Sequence, residues 1–252
     1  MHNLAFTGER IIPKITPEVL FREHESRYQF AATFAKQKLA VDVACGVGIG
    51  SQHLLDAGAR CCIGVDIDVH ALDYARTEYR DCHFAACDAL ALCLPDNGAD
   101  LFVSFETIEH ISDAAGFLRE CRRVLKPGGM LICSTPNHAV YRWYGHNPFH
   151  VREFLPDEFL RLVGAVFTDL KAYSQKEVIY PTFVARRLTR RLLEWMGLRS
   201  VIQSLPGYGP SPTCAATRFA CNAQDMAGEI KRYVAAWAVQ PTYVIVSARK
   251  PA

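Results

Sequence analysis

The stretch Val41-Asp42-Val43-Ala44-Cys45-Gly46-Val47-Gly48-Ile49-Gly50 decides the fold of this 252-residue chain. Its apolar start is typical of a buried strand, and its glycines mark a turn that leads into a helix. Because glycine has no Cβ atom, the backbone of such a turn can approach a ligand closely. The spacing Gly-x-Gly-x-Gly differs from that of dinucleotide-binding turns, which need glycine or alanine where this chain has Ser51. The stretch therefore predicts a strand, a ligand-binding turn and a helix.

Four more apolar runs follow this strand, roughly twenty residues apart, and start at Cys61, Cys82, Ala99 and Met130. The amphipathic segments 71–79 and 114–125 lie between them at helical spacing. Lys126-Pro127-Gly128-Gly129 is expected to end the second helix, because proline cannot continue it and glycine provides the turn. The alternation predicts βαβ units, hence a mostly parallel sheet with helices on both faces.

We expect one domain in four parts: a cap segment 1–38, a cofactor-binding core 39–174, an insertion or lid 175–240 and a final strand 241–252. Residues 18–38 read as a helix that covers a cleft, 156–163 as a helix, and 166–173 as a strand. The insertion contains a basic helix at 185–196, a Pro- and Gly-rich loop at 204–212 and a helix at 227–238. Its arginines form either a solvated helix face or a lid that meets an acidic acceptor.

Composition narrows the class of protein and of partner. The net charge is +2, with 28 Lys and Arg against 26 Asp and Glu, so nucleic acid is an unlikely partner. No signal-peptide pattern and no membrane-spanning apolar run is visible, which predicts a cytoplasmic protein without a membrane span. The ten cysteines are expected to be reduced and mostly buried. The oligomeric state stays open.

Later motifs match a known family in order and spacing. The second strand ends at Gly64-Val65-Asp66 and the third at Cys87-Asp88-Ala89, SFETIEHI spans 104–111, and LKPGG spans 125–129. With the glycine turn they resemble class I S-adenosylmethionine-dependent methyltransferases. The resemblance implies a Rossmann-like seven-stranded sheet, with the Asp66 carboxylate on the ribose hydroxyls and the third-strand end on the adenine. The implied cofactor residues are Asp42, Cys45, Gly46, Gly48, Asp66, Ile67, Asp88, Ala89 and Phe105.

A branch of that family is indicated by FTGER (6–10), STPN (134–137) and NPFHVREF (147–154). With Glu23-His24 and Arg27-Tyr28, they resemble methyltransferases found with surface-polysaccharide and glycosyl-transfer genes. The resemblance implies an N-terminal helix over the methionine end of the cofactor, with Arg27 and Tyr28 as candidates for its carboxylate. Tyr28 could equally serve in ordinary helix packing. The acceptor implied is a sugar hydroxyl in a glycan or a glycosylated small molecule.

The chemistry is assigned to Glu106, Glu109, His110 and His150. The first three have i, i+3 and i+4 spacing, so one helical turn would bring them together, and His150 follows the fifth strand at the same sheet edge. Two carboxylates and two imidazoles suit a divalent cation such as Mg²⁺, as in the similar metal site of small-RNA 2′-O-methyltransferases. The E-x-x-E-H part is also similar to that of ubiquinone-pathway O-methyltransferases. Alternatively His110 is a metal-free general base, or it is structural.

Three functions remain at this point, two enzymatic and one not, and N-methylation of an amino sugar stays open as a variant of the first. The first is O-methylation of a sugar hydroxyl, and the second is 2′-O-methylation of an RNA 3′ end. The third is a catalytically silent cofactor-binding protein, against which the presence of Glu106 and His110 argues. Trp143 and Tyr144 could stack on a sugar ring or pack on a neighbouring surface.

Overall fold

A computed structural model describes residues 10–196 and 239–252 of the chain. Its sheet contains seven strands in the order β3-β2-β1-β4-β5-β7-β6. The strands are β1 (Leu39–Val43), β2 (Cys61–Asp66), β3 (His83–Ala86), β4 (Ala99–Phe105), β5 (Leu125–Pro136), β6 (Thr168–Ile179) and β7 (Val239–Arg249). The strands β1 to β5 pair in parallel, whereas β7 is antiparallel to both of its neighbours. The predicted seven-stranded, mostly parallel sheet is confirmed.

Seven α-helices accompany the strands in the described residues. They are α1 (Glu18–Ala32), α2 (Ile49–Asp56), α3 (Val69–Glu78), α4 (Ala114–Val124), α5 (His138–Tyr141), α6 (Pro156–Gly164) and α7 (Tyr180–Trp195). The helices α4 and α6 bury Phe117 and Phe159 against one sheet face. The helices α1 and α2 bury Phe30 and Leu54 against the other. Each such fully buried side chain stabilises the fold by about 1.5–3 kcal/mol, so the sheet is held between two apolar layers.

Three element boundaries differ from the sequence-based expectation. The helix α1 ends at Ala32 rather than at residue 38, and residues 33–37 form turns that lead into β1, with Gln37 at a positive φ of 60°. Lys126–Gly129 lies within β5, where the pairing with β4 is interrupted between Leu125 and Met130. The strand β6 continues to Ile179, since Gln175 and the residues after it pair with β7. The segment between β6 and β7 therefore begins at Tyr180.

The basic helix α7 is longer than predicted and is not merely a solvated face. The Arg187 guanidinium lies 4.1 Å from the ring centre of Tyr144, and that of Arg191 lies 5.4 Å from Trp143. In the described residues these two aromatic side chains thus pack against arginine. The predicted loop 204–212, the predicted helix 227–238 and residues 6–9 of FTGER lie outside the described residues. No helix in the described ranges is long and apolar enough to cross a bilayer.

The expectation that all cysteines are reduced is wrong for one pair. Cys87 and Cys93 form a disulfide across a short loop, with Cα atoms 6.0 Å apart, a separation that suits such a bond. The loop after β3 folds back and brings the two sulfur atoms together, which spacing alone did not indicate. The other described cysteines are free thiols, and they are Cys45, Cys61, Cys62, Cys82, Cys121 and Cys133.

Candidate cofactor cavity and active site

The glycine turn between β1 and α2 has the backbone that its sequence predicts. Gly46 and Gly48 have φ of 55° and 83°, in the left-handed region that glycine adopts without strain. A Cβ atom on Gly48 would lie 2.8 Å from both Ala75 and the Phe84 ring. Gly46 lines the cavity described next. The lack of a Cβ atom on Gly48 lets the start of α2 pack closely on α3 and β3.

A cavity of about 530 Å³ opens at the carboxyl ends of β1 to β4, where open α/β sheets bind ligands. Most of the predicted cofactor residues line it, namely Tyr28, Cys45, Gly46, Asp66, Ile67, Asp88, Ala89 and Phe105. Of these, Ile67 is 74% exposed, so its apolar side chain offers an uncovered surface to a flat ring. The cavity's size falls in the range of small-molecule sites.

Asp66 organises the turn as well as facing the cavity. Its Oδ2 accepts a hydrogen bond of 2.7 Å from the Gly46 amide, and its Oδ1 accepts one of 2.9 Å from the Asp68 amide. A carboxylate has about four acceptor positions, so these two bonds leave capacity for ribose hydroxyls. Asp88 similarly accepts a bond of 2.8 Å from the Leu90 amide and shapes the loop after β3.

The predicted cofactor residue Asp42 lies beneath the cavity and does not line it. Both of its oxygens accept hydroxyl hydrogen bonds, from Tyr28 at 2.9 Å and from Ser51 at 2.8 Å. Burial raises the pKa of Asp42 to about 7, although the two hydrogen bonds oppose this shift. Tyr28 lines the cavity, and its hydroxyl anchors α1 to the sheet through Asp42, as expected for helix packing; its predicted contact with the cofactor carboxylate stays a prediction.

Arg27, the other predicted carboxylate-binding residue, does not line the cavity. It is 1% exposed, donates a 2.6 Å hydrogen bond to Gln175 and lies over the Tyr243 ring. A positive side chain that does line the cavity is Arg10, whose guanidinium contacts Asp68. Arg10 is thus a cavity residue that was not predicted from the sequence, although it ends the quoted FTGER motif.

The carboxyl end of β4 supplies the candidate catalytic residues. Glu106 lines the cavity, has a positive φ of 52° and accepts a 2.6 Å hydrogen bond from Ser134. Such a backbone is uncommon in a non-glycine residue, and strained residues of this kind occur at active sites as well as in turns. Residues Ile108–His110 form a 3₁₀ turn that starts after Glu106. The prediction of one shared α-helical turn is therefore wrong, and Glu106 is set apart from the other two.

Three of the four predicted metal ligands do come together. Glu109, His110 and His150 each offer a ligand atom, and these atoms lie within 4.8 Å of one another. Glu109 is fully buried and accepts a 3.0 Å hydrogen bond from Thr135 through Oε2, while Oε1 has no hydrogen-bond partner among the described residues. Burial and the nearby Glu106 carboxylate raise the pKa of Glu109 well above its ordinary value. A buried carboxyl group of this kind favours either a proton or a cation.

The orientation of both imidazoles is fixed by hydrogen bonds at Nδ1. The Nδ1 atom of His110 lies 2.9 Å from the Phe149 carbonyl oxygen, and that of His150 lies 3.2 Å from Glu153 Oε1. Both partners are acceptors, so each ring donates through Nδ1 and, when neutral, carries its lone pair on Nε2. His110 lines the cavity, and His150 lies beside it with ring centres 4.9 Å apart.

The fold resembles that of solved methyltransferases, and a sequence comparison agrees over part of the chain. Residues 41–133 match a family model described as a methyltransferase domain. A methyltransferase from Archaeoglobus fulgidus described as SAM-dependent has the same fold, with a TM-score of 0.60 and 16% identity over 92% of this chain and 94% of its own. Residues 41–133 therefore match a methyltransferase domain, and the chain shares its fold with a structure described as a SAM-dependent methyltransferase.

Two curated proteins are similar to this chain in sequence over part of their length. A probable S-adenosylmethionine-dependent methyltransferase of Mycobacterium tuberculosis is 38% identical over 172 residues, which are 66% of this chain and 62% of that protein. Chloroplastic tocopherol O-methyltransferase of Arabidopsis thaliana is 29% identical over 191 residues, which are 67% of this chain and 54% of that protein. The match thus spans less than two thirds of each relative's length.

Proposed function

We propose that this chain is a methyltransferase that transfers the methyl group of S-adenosylmethionine to a hydroxyl oxygen of a sugar, in a glycan or a glycosylated small molecule. The observation that carries the proposal is the position of His110 at the cavity edge, where its ring is oriented by the Phe149 carbonyl. The similarity to an enzyme named as an O-methyltransferase favours oxygen as the methylated atom. The sugar is supported by the resemblance of the FTGER, STPN and NPFHVREF motifs.

In the proposed reaction, bound S-adenosylmethionine supplies a methyl group that its sulfonium makes electrophilic. The new carbon–oxygen bond forms as the carbon–sulfur bond breaks, and Nε2 of His110 accepts the hydroxyl proton. Asp66 and Asp88 hold the nucleoside part at the ends of β2 and β3, so that the methyl group is presented in line. Such placement contributes several kcal/mol to lowering the barrier.

Glu109, His110 and His150 also fit a divalent cation. Within residues 10–196 and 239–252, the buried Oε1 of Glu109 has no hydrogen-bond partner. Each imidazole is oriented through Nδ1, as is typical of histidines that bind metal through the other nitrogen. Two imidazoles and one carboxylate favour Mn²⁺, Fe²⁺ or Zn²⁺ over Mg²⁺, which prefers oxygen ligands. A cation bound there would lower the pKa of an acceptor hydroxyl. The same Nε2 atom cannot bind a cation and accept a proton, so the two roles of His110 are alternatives.

The test measures methyl transfer from isotope-labelled S-adenosylmethionine to sugars, glycosylated small molecules, amino sugars and phenols, each with EDTA or with Mn²⁺. We expect a methylated sugar hydroxyl and a rate loss of about 10²- to 10⁴-fold in His110→Ala. His70→Ala, at an exposed position of α3, is the matched control and should keep the wild-type rate. Loss of activity in EDTA and recovery with Mn²⁺ would assign the cation role. A folded protein that binds no S-adenosylhomocysteine, or one that methylates only nitrogen or phenols, would contradict the proposal.

A second candidate function is methylation of the 2′ hydroxyl at an RNA 3′ end. It is favoured by the meeting of Glu109, His110 and His150, the cluster that the resemblance to small-RNA methyltransferases implies. The net charge of +2 opposes it, because RNA-binding surfaces are strongly basic. The test compares methyl transfer to a short RNA and to the same RNA with a 2′-deoxy terminal nucleotide. An RNA 2′-O-methyltransferase would methylate only the first.

A further inference from the structure

The segment that carries His150 is fixed to two others at the edge of the cavity. The amides of Val151 and Arg152 donate to the Glu109 carbonyl at 2.9 and 3.0 Å, which joins this segment to the turn after β4. The amide of His138 donates to the Phe154 carbonyl at 2.9 Å, which joins it to the start of α5. The backbone thus sets the place of the His150 Cα atom, and the side chain still needs an orienting contact.

Glu153 provides that contact and shares it between two histidines. Its Oε1 lies 3.2 Å from Nδ1 of His150, and its Oε2 lies 2.8 Å from Nδ1 of His138. The Glu153 side chain is 14% exposed and that of His150 is 6% exposed, whereas that of His138 is 43% exposed. An ionised carboxylate only accepts hydrogen bonds, so both rings must donate through Nδ1.

We propose that Glu153 is a positioning residue of the active site, which holds the His150 ring in the orientation and tautomer that place its lone pair on Nε2. Tyr141 stacks on the same ring at 5.1 Å, and His110 meets it edge-on. These contacts limit tilting of the ring, but only the hydrogen bond at Nδ1 selects the tautomer. Partners of this kind orient histidine and raise its basicity, and their loss typically costs 10- to 100-fold in metal affinity or activity. The inference rests on the proposed function insofar as that function gives His150 a role.

The direct test is nuclear magnetic resonance of the ¹⁵N-labelled protein, in which two-bond imidazole correlations identify the protonated nitrogen of each neutral histidine. We expect His150 to carry its proton on Nδ1 in the wild type and to lose this preference in Glu153→Ala. The variant His138→Ala should keep the His150 tautomer, because Oε1 of Glu153 is untouched. Asp157→Asn, which changes an exposed carboxylate of the neighbouring helix α6, is the matched control and should behave as the wild type.

The functional consequence is measured on the same variants as Mn²⁺ affinity and as methyl-transfer rate. Glu153→Ala should lower at least one of them by about 10- to 100-fold. Glu153→Gln, which has one acceptor oxygen and so serves one ring at a time, should lie between wild type and alanine and covers the case of a poorly folded alanine variant. An unchanged His150 tautomer in both variants, or a changed tautomer with wild-type affinity and rate, would overturn the inference. Because the tautomer is measured without cofactor or acceptor, failure of the sugar proposal is a separate result.

Discussion

The buried carboxyl group of Asp42 makes stability depend on pH in a direction opposite to that of most acidic residues. Its pKa is about 7 in the folded protein, against an ordinary value of 3.8. Between these values the folded state retains a proton that the unfolded state has lost. The free energy of unfolding therefore falls as pH rises through this window and levels off above about pH 7. At about 1.4 kcal/mol per pH unit, Asp42 contributes a loss of about 2–3 kcal/mol between pH 5 and pH 7.

The variant Asp42→Asn isolates this contribution, because asparagine has nearly the same shape and does not titrate. The assay is urea unfolding of both proteins, followed by tryptophan fluorescence at several pH values. We expect the stability of the wild type relative to the variant to fall by about 2–3 kcal/mol over those two pH units. Glu109, whose pKa is also raised, is present in both proteins, so its effect cancels in the difference. A difference that stays constant with pH would refute the reasoning.

Four further variants test the cavity and its surroundings. Asp66→Ala should weaken S-adenosylhomocysteine binding by about 10- to 100-fold in calorimetry, because charge-assisted hydrogen bonds contribute about 1.5–3 kcal/mol. Gly50→Ala should lower the free energy of unfolding by about 1–3 kcal/mol in urea titration, because its Cβ would lie 2.0 Å from the tyrosine ring of α1. Arg10→Ala should weaken the same ligand in calorimetry and leave stability within about 0.5 kcal/mol. Arg27→Ala should lower the free energy of unfolding and leave binding of the ligand unchanged, because it leaves the buried amide oxygen of Gln175 without its donor.

Controls and contrary outcomes are specific to each variant. Gly164→Ala adds the same methyl group at the end of α6, where the nearest atom is 3.6 Å away, and should not alter stability. Equal effects of the two glycine variants would contradict the close contact inferred for α1. Wild-type binding by Asp66→Ala would remove the ribose role of that carboxylate. Weaker binding by Arg27→Ala than by Arg10→Ala would restore the original expectation for the methionine carboxylate.

The sequence predicts the cofactor half of the domain well, because its signals are local. A strand, a glycine turn and a helix follow one another between Leu39 and Asp56, and a carboxylate at a strand end lies at the same sheet edge in any parallel sheet. For that reason Asp66 and Asp88 could be assigned to the cavity before any coordinates. Gly46 also lines the cavity, whereas Gly48, expected beside it, does not.

The sequence predicts the arrangement around Glu106, His110 and His150 less well, because that arrangement depends on contacts between residues far apart in the chain. The side on which Arg27 lies is set by Gln175, which belongs to another part of the chain, and no periodicity in α1 reveals that partner. The spacing of Glu106 and His110 suggested a helical turn, but a positive φ at Glu106 breaks it. The role inferred for Glu153 depends on two histidines that meet only when the loops after β5 fold together.

The position of β7 has a consequence for the order in which the molecule assembles. This strand lies between β5 and β6 in the sheet although it follows both in the chain. During synthesis β6 therefore leaves the ribosome before the strand with which it pairs exists, and β1 to β5 can form their parallel sheet first. Joining β6 requires closure of long loops, which is slow. We expect the early half of the domain to gain protection from hydrogen exchange before β6 does.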